Sequence, residues 1–165
     1  MKKIKITFEH KQIEVEENTT YLEISKYSQK KDIALAVKKE HELFPLTTRA
    51  IKDETIEFID ASSIEGAKIY KAAIKFILEV ALKTVFPTSD IDYLHSVPGG
   101  MLGEIEYDRI LTKEDISKIK EEMAKIIDEN CEFKRYNILK KEAADFYEAT
   151  SYYEKAIHVK TCDDI

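Results

Sequence analysis

The spacing of apolar residues changes once along this chain, at Asp60-Ala61-Ser62-Ser63, and that change limits the fold more than any other feature. Before it, Ile4-Lys5-Ile6-Thr7-Phe8 and Gln12-Ile13-Glu14-Val15-Glu16 alternate apolar and polar around a short polar connection. This is the period of two half-buried strands in a hairpin. Thr20-Tyr21-Leu22-Glu23 fits a capping box and opens a short helix to about Tyr27. Ala34-Leu35-Ala36-Val37 and Thr55 to Asp60 read as strands, with a mixed segment holding His41, Pro45 and Arg49 between them. The expected order is β-β-α-β-β.

Beyond Ser63 the period lengthens. Lys68, Lys71, Lys75, Glu79 and Lys83 recur at spacings of three and four, with Ile69, Ala73, Ile77 and Ala81 among them. A long, mostly buried helix from Glu65 to Phe86 with one charged stripe follows, stopped by Pro87. Ile91 to Ser96 and Gly103 to Asp108 read as paired strands joined by the turn Val97-Pro98-Gly99-Gly100. Thr112 caps a helix whose apolar stripe is Ile116, Ile119, Met123, Ile126 and Ile127, running to about Asn130. A strand around Phe133 to Ile138 and a helix from Lys140 to Glu148 complete the assignment, and nothing is assigned after Ser151. The fold class is α+β in two units, with no internal repeat.

Composition removes several classes of function. Lys+Arg 26 against Asp+Glu 32 gives a net charge of -6, so a site for nucleic acid must be a local patch. The longest apolar run, Phe76 to Leu82, is interrupted by Glu79 and is far short of the ~18 residues of a membrane span. No signal-peptide core follows Met1-Lys2-Lys3, and neither Cys131 nor Cys162 lies in a CxxC pair, so the chain reads as a reduced, cytoplasmic protein.

Neither GxxxxGKS/T nor GxGxxG occurs, and His10, His41, His95 and His158 are scattered without HxxxH spacing. No nucleotide cradle or metal centre is expected. His95-Ser96 before the glycine turn is the one place where a titratable group, a hydroxyl and exposed amides come close in sequence. The plainer reading makes Gly99-Gly100, with Gly103, a hairpin turn and His95 a partly buried residue ending a strand. Cys131 reads as a small hydrophobe and Cys162 as a tail residue, neither marked as an activated thiolate. The stripe of Lys68, Lys71, Lys75 and Lys83 could bind phosphate if it lines a groove, and otherwise is a solvated helix face. The candidate ligand- or anion-binding residues are therefore Lys71, Lys75, His95, Ser96, Gly99 and Gly100; no catalytic residue and no metal ligand is assigned.

With that order of elements in place, residues 1–61 resemble a TGS domain, the ubiquitin-like β-grasp module of threonyl-tRNA synthetases, stringent-response synthetases and some GTPases. Residues 65–165 resemble a partial, truncated second (editing) domain of threonyl-tRNA synthetase. The segments that carry the second resemblance are Glu65-Gly66, Ile69-Tyr70, Ala81-Leu82, Phe86-Pro87 and Leu111-Thr112-Lys113-Glu114-Asp115-Ile116. In that family the first helix of the domain carries an HxxxH pair; Lys71 and Lys75 stand at those positions here, and Cys162 is not followed by the family's CxxxH. Two ammonium groups cannot replace two neutral imidazoles as metal ligands, so the resemblance does not extend to hydrolytic editing.

The same pair of domains is similar to the front of bacterial uridine (nucleoside) kinase-like proteins, through Leu94-His95-Ser96, Gly99-Gly100 and Tyr70. That resemblance implies a non-catalytic, ligand- or RNA-binding regulatory region, with ATP and magnesium needed only by a kinase domain that follows in the same polypeptide. The partners it implies are a nucleotide or tRNA, that kinase domain and a second copy of the chain. The rivals are a stand-alone tRNA-editing factor and a structural interaction module with an exposed apolar patch near its C-terminal end.

Overall fold

The computed structural model describes residues 2–97, 100–131, 133–134, 136–150 and 152–162. Pro98 and Gly99 of the expected turn lie outside them. The structure is mixed α+β and divides into two compact units, Met1–Ile74 and Lys75–Ile165.

In the first unit, β1 (Lys3–Phe8) pairs antiparallel with β2 (Lys11–Glu16) from Lys3↔Glu16 to Phe8↔Lys11. The alternation of Ile4, Ile6 and Phe8 sends all three inward, where each is almost fully buried. The tight connection forces positive φ on Glu9 and His10. Helix α1 (Tyr21–Ser25) spans only five residues and is held by the expected capping box: Thr20 N–H donates to Glu23 Oε2 at 3.0 Å, and Glu23 N–H to Thr20 Oγ1. So short a helix has little stability of its own. Its burial of Tyr21 and Ile24 against Ile4, Ile6, Phe8, Val37 and Phe58 is what keeps it folded.

The next strands lie slightly off their expected positions. β3 (Ala36–Lys39) begins two residues late and pairs with β4 (Glu42–Phe44), which lies in the segment read as mixed. That strand escapes the period rule because it is three residues long and half-exposed. The closing strand is broken at Ile56 into β5 (Glu54–Thr55) and β6 (Glu57–Ile59). β5 runs parallel to β1, β6 runs antiparallel to β3, and Ile56 N–H donates to Thr7 O at 2.9 Å between them. The two sheets, ordered β2-β1-β5 and β4-β3-β6, are thus joined by one continuous run of backbone.

Helix α2 (Ile64–Val85) starts where the period changes. Ser63 Oγ accepts from Gly66 N–H at 3.0 Å and donates to Asp60 O, and Lys38 pairs with Glu65 at 2.8 Å. The helix is less buried than its apolar content suggests: Tyr70 and Phe76 are about half exposed, while Ala81 and Leu82 are the most deeply buried apolar residues on it.

In the second unit Ala81, Leu82 and Phe86 meet Ile119, with Ile91, Ile105, Tyr107 and Met123 around them. The hairpin is β7 (Asp90–Val97) with β8 (Gly100–Glu106), so Gly100 and Gly103 are strand residues. Helix α3 (Lys113–Asp128) is capped by Thr112 with Asp115 as the reciprocal partner. Asp115 is buried and also grips Arg109 through both its oxygens. Phe133 to Ile138 show no strand among their described residues; Phe133 instead sets its ring 5.5 Å from Phe76. Helices α4 (Lys140–Ala149) and α5 (Tyr153–Thr161) pack as a helical hairpin over Ala144 and Ala156, and leave Leu139, Phe146, Tyr153 and Ile157 exposed. Alanines at the contact explain why the weakly apolar segment after Ser151 gives no clear helical stripe. Among the described residues no helix is long and apolar enough to cross a membrane.

Two predictions follow from the packing. A Cβ on Gly66 would lie 1.8 Å from the Asp60 carbonyl oxygen, whereas one on Gly100 would meet only Val97 Cγ2 at 3.9 Å. Gly66→Ala is expected to destabilise by about 2 kcal/mol or more and Gly100→Ala by far less, read from urea midpoints. The Lys30 ammonium at 2.7 Å, helped by Ser62, lowers Asp60 from 3.8 to about 2, and Arg109 holds Asp115 well below the usual carboxylate range. Both are lowered on folding, so their stabilisation is present above the unfolded value and is lost as pH falls through the folded one. The urea midpoint should therefore drop between pH 4 and about pH 2. Asp60→Asn together with Asp115→Asn should flatten that drop.

Candidate functional site

The described candidate residues, Lys71, Lys75, His95, Ser96 and Gly100, fall on α2 and on the β7–β8 hairpin. Lys71 is exposed on α2, as is Lys68 one turn before it. Lys75, the first residue of the second unit, is half-buried. Its ammonium sits over the Tyr93 ring at 4.5 Å, and the Tyr93 hydroxyl donates to the Lys75 carbonyl at 3.0 Å. Burial, with the Glu79 carboxylate behind it, pushes the Tyr93 phenol up to about 12.

His95 and Ser96 lie within β7, with His95 opposite Leu102, Ser96 opposite Met101 and Val97 opposite Gly100. Both are exposed, so His95 is not the partly buried strand-ending residue expected from the sequence. The reason is a register shift between Tyr93 and His95. Tyr93 pairs with Gly103 on the face that packs on α2, whereas the partner of His95 is Leu102, on the opposite face and 45% exposed. The structure thus brings together Lys75 and the inner face of β7, and gathers His95, Ser96 and Gly100 toward the hairpin tip. It does not set Lys75 and His95 side by side. Gly99 lies outside the described residues.

The other end of the hairpin carries the opposite charge. Asp90 stands across from Glu106 and Asp92 across from Glu104, two like-charge pairs on the outward face. Directly opposed carboxylates destabilise a strand pair, and Lys83 beside Asp90 at 3.9 Å offsets only part of that. An anionic ligand would be repelled at the base of the hairpin and would find His95 and Ser96 only toward its tip.

The rest of the stripe, Glu79 and Lys83, has local partners. Lys83 also lies 5.0 Å from the Tyr152 ring, and Glu79 is ion-paired with Lys155 at 2.6 Å. The stripe therefore divides into exposed Lys68 and Lys71 and engaged Lys75 and Lys83. Among the described residues no three His, Cys, Asp or Glu side chains converge as a metal site.

Two details were missed in the sequence. Cys131 is exposed rather than packed as a small hydrophobe, and it borders a groove lined by Phe76, Ile77, Val80, Ile127 and Phe133. Cys162 does have a histidine near it: His158 Nε2 is 3.4 Å from its Sγ. The four-residue spacing was the available signal, hidden because no helix was assigned after Ser151.

The hydroxyl of Tyr93 and the ring beneath Lys75 hold the hairpin to α2. Tyr93→Phe, which keeps the ring, is expected to cost about 1 kcal/mol in urea unfolding. Burial raises the phenols of Tyr21 and Tyr152 as well, so ultraviolet titration at pH 10, where an ordinary tyrosine is half ionised, should show one fewer resistant phenol in Tyr93→Phe than in the wild type.

No protein-family model matches the chain. It is similar to the threonine–tRNA ligase of Oceanobacillus iheyensis, 31% identical over 114 residues that make up 69% of this chain and 18% of the ligase. It is also 31% identical over 135 residues to the threonine–tRNA ligase of Caldanaerobacter subterraneus subsp. tengcongensis, covering 81% of this chain and 21% of that one. The threonine–tRNA ligase of Lawsonia intracellularis is 29% identical over 120 residues, 73% of this chain and 18% of the ligase. The chain thus spans about a fifth of the length of the curated relatives it matches, and those relatives are threonine–tRNA ligases.

Proposed function

We propose that this chain is a non-catalytic tRNA-binding module, made of a TGS-like β-grasp followed by a partial editing-domain-like unit. The observation that carries it is the similarity to threonine–tRNA ligases over 69% to 81% of the chain. The first unit supports the β-grasp reading: a hairpin, a short helix and a closing run whose two parts, β5 and β6, pair with β1 and β3 link two three-stranded sheets around Tyr21 and Ile24. The relatives favour tRNA over the uridine kinase parent, whose nucleotide, ATP and magnesium find no support in them.

Recognition in this reading is electrostatic. Exposed Lys68 and Lys71 neutralise backbone phosphates. Lys75 joins them only as a cation already placed over Tyr93. Neither lysine can act as the water-activating imidazole that editing needs.

Fluorescence anisotropy of the chain with a labelled threonine tRNA transcript, across a salt series, tests this. Binding should weaken linearly on a log–log plot, and Lys71→Ala and Lys75→Ala should each lower the slope by about 1. No anisotropy change at low salt, or a slope that neither substitution alters, would remove the tRNA role. A second reading, a stand-alone editing factor, draws on the same relatives. It requires release of serine from seryl-tRNA by the purified chain and loss of that release in His95→Ala.

A further inference from the structure

The end of α5 presents two metal-ligating side chains with no role in the reading above. His158 and Cys162 stand four residues apart, one helical turn, and both are exposed. Nε2 of the imidazole faces Sγ of the thiol at 3.4 Å. A tetrahedral zinc ion with a Zn–N bond of about 2.05 Å and a Zn–S bond of about 2.3 Å separates those two atoms by about 3.6 Å. The pair is therefore spaced to chelate such an ion with a shift of a few tenths of an ångström. Cys162 closes the helix, accepting the role of C-cap with its N–H on the His158 carbonyl at 3.0 Å, and a cation is favoured at that end of the helix dipole.

We propose that His158 and Cys162 form half of a Cys2His2 site for zinc or a similar soft divalent cation, completed by the same two residues of a second copy of this chain. Two ligands leave a tetrahedral ion half-coordinated, and the described residues offer no third carboxylate, His or Cys nearby. Charge also favours two copies. One thiolate leaves a divalent ion with a net positive charge, whereas two thiolates neutralise it. Lys160, two residues before Cys162, pairs with Glu148. The same helix exposes Tyr153 and Ile157, each 61% accessible and one turn apart, on the stripe next to the ligands. A second copy arriving at the metal would cover them. Each thiol gives up its proton to solvent as the metal binds, and no redox step is involved.

Cobalt titration of the full chain, with thiols kept reduced, tests the proposal. Intense visible absorption of tetrahedral, thiolate-ligated cobalt should saturate at one metal per two chains and be bleached by zinc. Sedimentation should show the mass doubling from 19.1 kDa with zinc and returning on chelation. His158→Asn and Cys162→Ser should each abolish both effects, and Cys131→Ser should leave them intact. Since both ligands are exposed, the metal-free variants should keep the wild-type urea midpoint, which separates loss of binding from loss of fold. Saturation at one metal per chain without a change of mass would overturn the proposal. So would a weak octahedral spectrum, or binding that persists in both ligand variants.

Discussion

The carboxylate and carbonyl of Asp60 hold together the point at which a sheet becomes a helix. Its side chain takes the Lys30 ammonium at 2.7 Å and the Ser62 N–H at 2.8 Å, while its carbonyl accepts from Ser63 and lies against Gly66. Lys30 also donates to the Phe58 carbonyl, so one cation ties the segment after α1 to the closing strand. The apolar core on one side of this joint depends on β6 ending where it does, because Phe58 and Ile59 must both face inward around a break at Ile56. The first turn of α2 depends on it equally, since only a residue without Cβ fits against that carbonyl. One residue, through its carboxylate and its backbone carbonyl, thus marks where one period stops and the next begins.

Arg109 and Asp115 do comparable work in the second unit. Thr112 and Asp115 close the capping box of α3, and Arg109 meets the same carboxylate while lying over Phe86 and Tyr107. A buried carboxylate is costly unless every lone pair is met, and here Arg109, the Thr112 amide and the Thr112 hydroxyl meet them. The guanidinium plane serves as part of the apolar surface as well as an ion partner, which lysine could not do as well. The helix start, the end of the hairpin and the aromatic pair Phe86–Tyr107 are positioned by one contact.

Much of this was legible beforehand. The capping box at Thr20, the Thr112 cap, the opening hairpin and the 22-residue helix follow from local rules, and local rules are satisfied within a few residues of chain; that Asp115 closes a second capping box is seen only in the structure. The break at Ile56 was not legible, because it comes from two partners, β1 and β3, competing for one strand. β4 was too short to show a period. The exposure of His95 depends on a register shift that no spacing encodes, and the helical hairpin at the end is held by Ala144 and Ala156, which carry little hydrophobic signal. Of the candidate site, the lysine stripe was readable as a stripe, but which lysines are already engaged was not: Tyr93, Asp90 and Tyr152 reach it from other elements.

That division bears on the tRNA-binding role proposed above. A lysine that is free in solution contributes to binding by releasing condensed counterions, and it costs little to bring to a phosphate. One already seated over an aromatic ring must keep that contact while reaching a phosphate, or give it up. Lys75 therefore acts as a fixed point of positive potential, while Lys68 and Lys71 are adaptable. The carboxylates of Asp90, Asp92, Glu104 and Glu106 face outward on the hairpin and gather negative charge at its base. In the tRNA-binding role proposed above, such a field would orient a polyanion without reading its sequence.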